Sequence, residues 1–140
     1  MNITELDLLL ATLDESGMLA DERRERAAAL EIVATLPLTA IQQAWLHTAQ
    51  ACEVGEADEE ALAATRVAAW DSIAGSDCDF IRPEVNQVRA LICVLFPARG
   101  ESMDDGEAID RLQALLEFYL AAGGSAATAG AILRGTFDCD

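Results

Sequence analysis

Apolar residues recur at the spacing of an α-helix through most of this chain, and this periodicity constrains the fold more than any other feature. Two runs repeat the same spacing: Val85, Val88, Leu91, Ile92, Leu95 and Phe96, and then Ile109, Leu112, Leu115, Leu116, Tyr119 and Leu120. Such spacing places the side chains of each run on one face of a helix. No segment alternates apolar and polar residues over the length of a strand. The sequence therefore predicts an all-α fold.

Capping residues and helix breakers divide the chain into six or seven helices. Starts are indicated by Thr4, Asp21, Thr39, Asp58, Pro83 and Ser125, which are residue types favoured at helix N-termini. The predicted helices cover about residues 4–15, 22–36, 39–53, 58–74, 83–96, 107–122 and 126–133. A length of 140 residues fits one domain. We therefore expect a single-domain bundle of six to seven helices over residues 1–140.

The same periodicity predicts the buried face of each helix. The inward residues that it selects for the second and fourth helices are Ala27, Leu30, Ala34, Ala63, Val67, Trp70 and Ala74. The first turn of the second helix, residues 22–26, mixes acids and arginines and is expected to lie in solvent.

The charge of the chain is strongly one-sided, with 25 acidic residues, nine arginines and no lysine, for a net charge of −16. Nucleic acids and membrane surfaces are negatively charged and attract proteins that carry clustered positive charge. We therefore expect neither direct nucleic-acid binding nor membrane binding. Acids also occupy the N-terminus, where a secretory signal would carry bases, and this predicts a cytoplasmic protein.

Residue types that make catalytic and metal sites are sparse in this sequence. The four cysteines form no Cys-x-x-Cys pair and His47 is the only histidine, so we expect no metal site and no cofactor. Cys52 and Cys93 lie on apolar faces and are predicted to be small core residues. Most carboxylates fall in linkers or first helical turns, where hydration leaves them unsuited to acid–base catalysis. The sequence therefore predicts a protein that is not an enzyme.

Acidic residues gather in two clusters, between the third and fourth helices and between the fifth and sixth. In a bundle of alternating helices both junctions lie at one end and form a negative rim, with Asp77 and Asp79 at the opposite end. The residues expected to bind a partner are Glu56, Asp58, Glu59, Glu60, Asp77, Asp79, Phe80, Glu101, Asp104, Asp105 and Glu107. Solvated loops and favourable helix-dipole interactions would explain the same acids without a partner.

A negative rim would steer a basic partner protein towards the bundle, because complementary charge raises association rates. Affinity would then come from apolar anchors set among the acids. The candidate anchors are Phe80, Ile81, Met103 and Phe137.

The chain resembles a group of bacterial immunity proteins that protect cells from their own polymorphic or secreted toxins. The resemblance lies in its size, its helix content, its acidity, its lack of lysine and the acidic loop Asp77-Cys78-Asp79-Phe80 between helices. It implies a tight inhibitor that occludes the active site of a cognate toxin, often a basic enzyme that attacks nucleotides, NAD or nucleic acid.

Two other classes of function stay open at this point. A helical adaptor or subunit would pair through the apolar stripe of the fifth or sixth helix, if that stripe were exposed. A small-ligand binder or enzyme would use a pocket between helices that contains buried carboxylates. A mimic of nucleic acid, with acids at the spacing of phosphates, would be a special case of the inhibitor.

Overall fold

A computed structural model of the chain describes residues 1–76, 81–98 and 107–138. Within these ranges the chain forms seven α-helices and no strand, which confirms the all-α prediction. The helices are α1 (Ile3–Glu15), α2 (Glu22–Ala34), α3 (Ala40–Glu53), α4 (Glu59–Ser72), α5 (Pro83–Cys93), α6 (Glu107–Ala121) and α7 (Ala126–Thr136), and a 3₁₀ turn (Met18–Ala20) joins α1 to α2. In the part of the chain described, no helix is both long enough and apolar enough to cross a membrane.

Side-chain caps define the N-termini of several helices, as the sequence predicted. Asp21, Asp58 and Ser125 each accept a hydrogen bond from a backbone N–H in the first turn of the helix that follows. Thr39 forms a reciprocal capping box with Gln42. The first helix differs from the prediction, because Asn2 rather than Thr4 is its cap and accepts from the N–H of Glu5 at 2.8 Å.

One apolar core draws residues from all seven helices, and the paired helices α5 and α6 contribute much of it. Their two predicted stripes face this core. All twelve residues of the stripes are buried or partly buried except Phe96, which lies beyond the last residue of α5 and is 48% exposed. An adaptor that paired through either stripe would therefore have to open the bundle.

The predicted buried faces of α2 and α4 were wrong for five of their seven residues, although Leu30 packs against the core and Ala63 is partly buried. In α2 the buried apolar residues are Ala28, Ala29, Ile32 and Val33, whereas Ala27 and Ala34 are exposed. In α4 the chain buries Leu62, Ala69 and, just after the helix, Ile73, whereas Val67 and Trp70 point outwards. Both helices are rich in alanine, so several of their faces are almost equally apolar, and contacts with neighbouring helices decide which face packs on the core. The expectation that residues 22–26 lie in solvent holds for Arg23 and Arg24 and fails for Glu25 and Arg26, which are buried.

Tyr119 ties the α6–α7 turn to α2 from inside the core. Its side chain is buried, and its hydroxyl contacts Thr35 Oγ1 at 2.9 Å and accepts a hydrogen bond from the N–H of Ser125 at 3.3 Å. The Tyr119 ring lies directly against Gly124, so a Cβ atom at that position would collide with it. Gly124 is therefore required by close packing.

We expect Gly124→Ala to lower the free energy of unfolding by about 1–3 kcal/mol, because the added methyl group forces the Tyr119 ring to move. Gly135→Ala is the matched control, since a Cβ at that position in α7 meets open space. Alanine favours a helix more than glycine does, so this control should leave stability unchanged or raise it by up to about 1 kcal/mol. Urea unfolding of the three proteins measures both effects, and equal effects would contradict the Gly124–Tyr119 contact.

Candidate functional site

The acidic junction between α3 and α4 divides into structural and exposed carboxylates. Glu53 turns inwards and pairs with Arg26. Asp58 caps α4, where its Oδ1 accepts from the N–H of Ala61 at 2.8 Å. Glu56, Glu59 and Glu60 are exposed. Asp58 is exposed as well, but its carboxylate is committed to the helix cap, so Glu56, Glu59 and Glu60 are the acids of this junction without such a role in the described contacts.

The remaining predicted residues have different outcomes. The predicted residues that lie outside the described ranges are Asp77, Asp79, Phe80, Glu101, Asp104 and Asp105, together with the predicted anchor Met103. Glu107 begins α6, but its side chain is also outside the description. The anchor Ile81 is 89% exposed. Phe137 is fully buried in the core at the end of α7, so its prediction as a surface anchor was wrong.

Arg26 brings together the ends of two helices that the sequence placed at one end of the bundle. Its Nε donates to Glu53, the last residue of α3. Its Nη2 donates to the backbone oxygen of Phe96, just after α5, at 2.7 Å. The ends of α3 and α5 therefore lie together beside the start of α2.

The outer face of α4 carries large apolar side chains near the exposed acids. Val67 is 59% exposed and Trp70 is 41% exposed. Glu60, Val67 and Asp71 follow one face of the helix, and Glu59 and Trp70 follow the adjacent line. We call this set, with Glu56, the α4 surface: Glu56, Glu59, Glu60, Val67, Trp70 and Asp71. It combines two large apolar side chains with four exposed carboxylates.

Arginines of the same chain hold the aromatic rings that border this surface. The guanidinium of Arg89 lies 5.6 Å from the Trp70 ring and 5.5 Å from the Phe118 ring. The guanidinium of Arg66 lies 4.5 Å from the Phe96 ring and donates to the backbone oxygen of Leu95 at 2.7 Å. These cation–π contacts restrict the positions of the rings.

A second group of charged residues is buried between α2, α3 and α6. The Glu25 side chain is only 2% exposed, and its Oε2 accepts a hydrogen bond from Arg111 Nη2 at 2.8 Å. Burial raises the pKa of Glu25 to about 7, although the nearby Arg111 and Arg26 act in the opposite direction. Glu25 is thus a carboxyl group in an environment unlike that expected for a first helical turn.

A small cavity lies beside Glu25. It has a volume of about 20 Å³ and is lined by Glu25, Arg26, Ala29, Leu30, Cys93, Val94, Arg111 and Leu115. Such a volume has room for a water molecule and not for an organic substrate.

Burial also raises the pKa of the Cys93 thiol to about 11, so this thiol stays protonated at neutral pH. Among the described residues, no group of histidine, cysteine and acidic side chains could hold a metal ion.

Two features of these sites were missed from the sequence, because the pattern for each was present but ambiguous. The positions of Leu62, Ala69 and Ile73 fit one helical face, which leaves Trp70 outside. The buried positions of α2 extend one helical turn back from Ala29 to Glu25, which a charge-based reading assigned to solvent.

No protein-family model, curated protein or solved structure matches this chain. Its function must therefore be inferred from its own surfaces and buried groups.

We expect Arg26→Met to lower the free energy of unfolding by about 2–4 kcal/mol, because Glu53 and the Phe96 carbonyl both lose their donor in a partly buried place. Arg24→Met is the control, since Arg24 pairs with Asp21 at 3.5 Å while both side chains are about half exposed. That change should cost less than about 0.5 kcal/mol. Urea unfolding measures both, and a cost for Arg26→Met as small as that of the control would contradict the bridging role.

Proposed function

We propose that this chain is a non-catalytic protein-binding inhibitor that holds a basic partner protein, in the manner of an immunity protein that neutralises a cognate toxin. The observation that carries this proposal is the α4 surface, on which Val67 and Trp70 are exposed among the carboxylates of Glu59, Glu60 and Asp71. Binding would occlude the partner's active site without any reaction on the part of this chain.

The chemistry of the α4 surface supports a basic protein as its partner. Tryptophan is enriched among the residues that dominate binding energy, because a large flat ring loses little conformational entropy when it is covered. The surrounding carboxylates would pair with lysine or arginine side chains at the edge of the contact. The net charge of −16 would attract such a partner over a longer range.

A second copy of this chain is a poorer occupant of the same surface. Self-association through α4 would place two sets of exposed carboxylates against each other, and like charges in an interface cost several kcal/mol. The same repulsion disfavours nucleic acid and anionic membranes. A basic protein is the macromolecule whose charge complements this surface.

The first test compares two triple charge reversals with equal changes in net charge. Glu56→Lys, Glu59→Lys and Glu60→Lys alter the α4 surface, whereas Glu5→Lys, Glu15→Lys and Glu117→Lys alter exposed acids on α1 and α6. Wild-type protein captures the partner from the native host at low ionic strength, and association kinetics with the purified partner are then measured for all three proteins.

We expect the reversal in the α4 surface to slow association by about tenfold or more, because it places repulsive charge where the partner docks. The control reversal should slow it less than about threefold, since it changes only the long-range field. Raising the ionic strength should slow association of the wild type. Equal slowing by both variants would rule out α4 as the docking surface, and the absence of any basic partner would contradict the proposal itself.

The second test removes the apolar anchor. Trp70→Ala should accelerate dissociation of the partner by about 10-fold to 30-fold, because truncation of an interface tryptophan commonly costs about 2 kcal/mol. Leu8→Ala is the control, since Leu8 is 64% exposed on α1. Equal dissociation rates for the two variants would show that Trp70 is not an anchor.

A helical adaptor is the second candidate, and the α4 surface would serve it equally well. The two functions differ in what binding does to the partner. An inhibitor abolishes the partner's enzymatic activity or toxicity at a stoichiometric ratio, whereas an adaptor leaves that activity unchanged. The enzymatic activity of the purified partner, measured with and without this chain, distinguishes the two functions. The toxicity of the partner in cells that also express the Trp70→Ala variant is the second measurement.

A further inference from the structure

The buried carboxyl of Glu25 lies at the contact between α2 and α6 and is independent of the surface proposed to bind a partner. Its side chain is 2% exposed, and Arg111 reaches it from α6 across 86 residues of sequence at a distance of 2.8 Å. An ionised carboxylate loses most of its hydration in such a place. One arginine that is itself 36% exposed replaces only part of that hydration.

The charged groups around Glu25 do not favour its ionisation strongly enough to offset burial. Arg111 of α6 and Arg26 of α2 stabilise the negative charge, whereas Glu22 of α2 and Glu53 of α3 oppose it. Arg26 is in turn committed to Glu53 and to the Phe96 carbonyl. On the side of α5, Cys93 lines the adjacent cavity as a neutral thiol and adds no positive charge.

We propose that Glu25 acts as a proton-controlled latch between α2 and α6. The α2–α6 contact is closed when the carboxyl group of Glu25 is neutral and opens locally when that group is ionised. In the neutral state the carboxyl oxygen still accepts from Arg111, and no buried charge has to be stabilised. In the ionised state the α2–α6 contact opens locally so that water reaches the carboxylate. The cavity beside Glu25 has room for a water molecule, which would carry the proton to and from solvent.

The pH range in which the latch works follows from the direction of the pKa shift. Burial raises the pKa of Glu25 from 4.5 in the unfolded chain to about 7 in the fold. The folded state therefore keeps a proton that the unfolded state has already lost, and this stabilising contribution declines as the pH rises from about 4.5 to about 7. Local opening at the α2–α6 contact should increase as the pH passes through about 7.

The direct experiment is a carboxyl-carbon NMR titration of Glu25 in the wild-type protein, which requires no variant to fold. We expect a midpoint near pH 7. In Arg111→Gln the midpoint should move higher, because Arg111 is the largest of the interactions that favour the ionised form. A wild-type midpoint below about pH 5 would overturn the latch.

A stability comparison tests whether the proton is linked to folding. Relative to Glu25→Gln, which cannot ionise, the unfolding equilibrium constant of the wild type should rise on the order of 100-fold between pH 4.5 and pH 8. Glu15→Gln removes an exposed acid from α1 and should follow the wild-type profile. Parallel profiles for wild type and Glu25→Gln would overturn the proposal.

Hydrogen exchange locates the opening. After correction for the intrinsic pH dependence of exchange, amides in the first half of α2 and around Arg111 in α6 should exchange at least about tenfold faster at pH 8 than at pH 6 in the wild type. Glu25→Gln should show no such change. If the corrected rates in the wild type are equal at the two pH values, Glu25 titrates without opening the contact and the latch is wrong. None of these readouts involves a partner, so they stand or fall separately from the proposed inhibitor function.

Discussion

The packing of α5 against α6 is the contact on which the rest of the bundle depends. Both helices carry a continuous stripe of bulky apolar side chains, and the two stripes meet in the centre of the core. Helices α1 and α2 pack on α6, helices α3 and α4 pack on α5, and α7 packs on α1 and α2. Since burial of apolar surface is the main favourable contribution to folding, the other helices take the positions that extend this pair into one core. Their outward faces, including the α4 surface, follow from that arrangement.

The charged residues at one end of the bundle determine which helix ends meet more than they stabilise the fold. Arg26 joins the ends of α3 and α5 to the start of α2. Arg111 joins α6 to Glu25, which also belongs to α2. Buried ion pairs rarely stabilise a fold more than well-packed apolar residues would, because their desolvation is costly. These pairs instead specify which helix ends meet. The same desolvation leaves Glu25 close to its titration point at neutral pH, which is the basis of the proposed latch.

The acidity of the chain serves more than one purpose. Asp58 and Asp21 cap helices, and Glu53 is an internal ion-pair partner, so these acids are used within the fold. The exposed carboxylates near Val67 and Trp70 have no such role in the described contacts. Their position beside exposed apolar side chains is the basis of the proposed recognition of a basic protein.

The all-α class, most helix bounds and the core stripes of α5 and α6 could be predicted from the sequence. They depend on local backbone capping and on apolar spacing, and both are written in consecutive residues. The orientation of α4 could not be predicted in this way, because its many alanines make several faces almost equally apolar and neighbouring helices decide between them. Nor could the environment of Glu25, since its partner Arg111 is 86 residues away. The sequence by itself determined which segments are helical; only the tertiary structure decided which faces meet water, because burial depends on contacts between residues far apart in the chain.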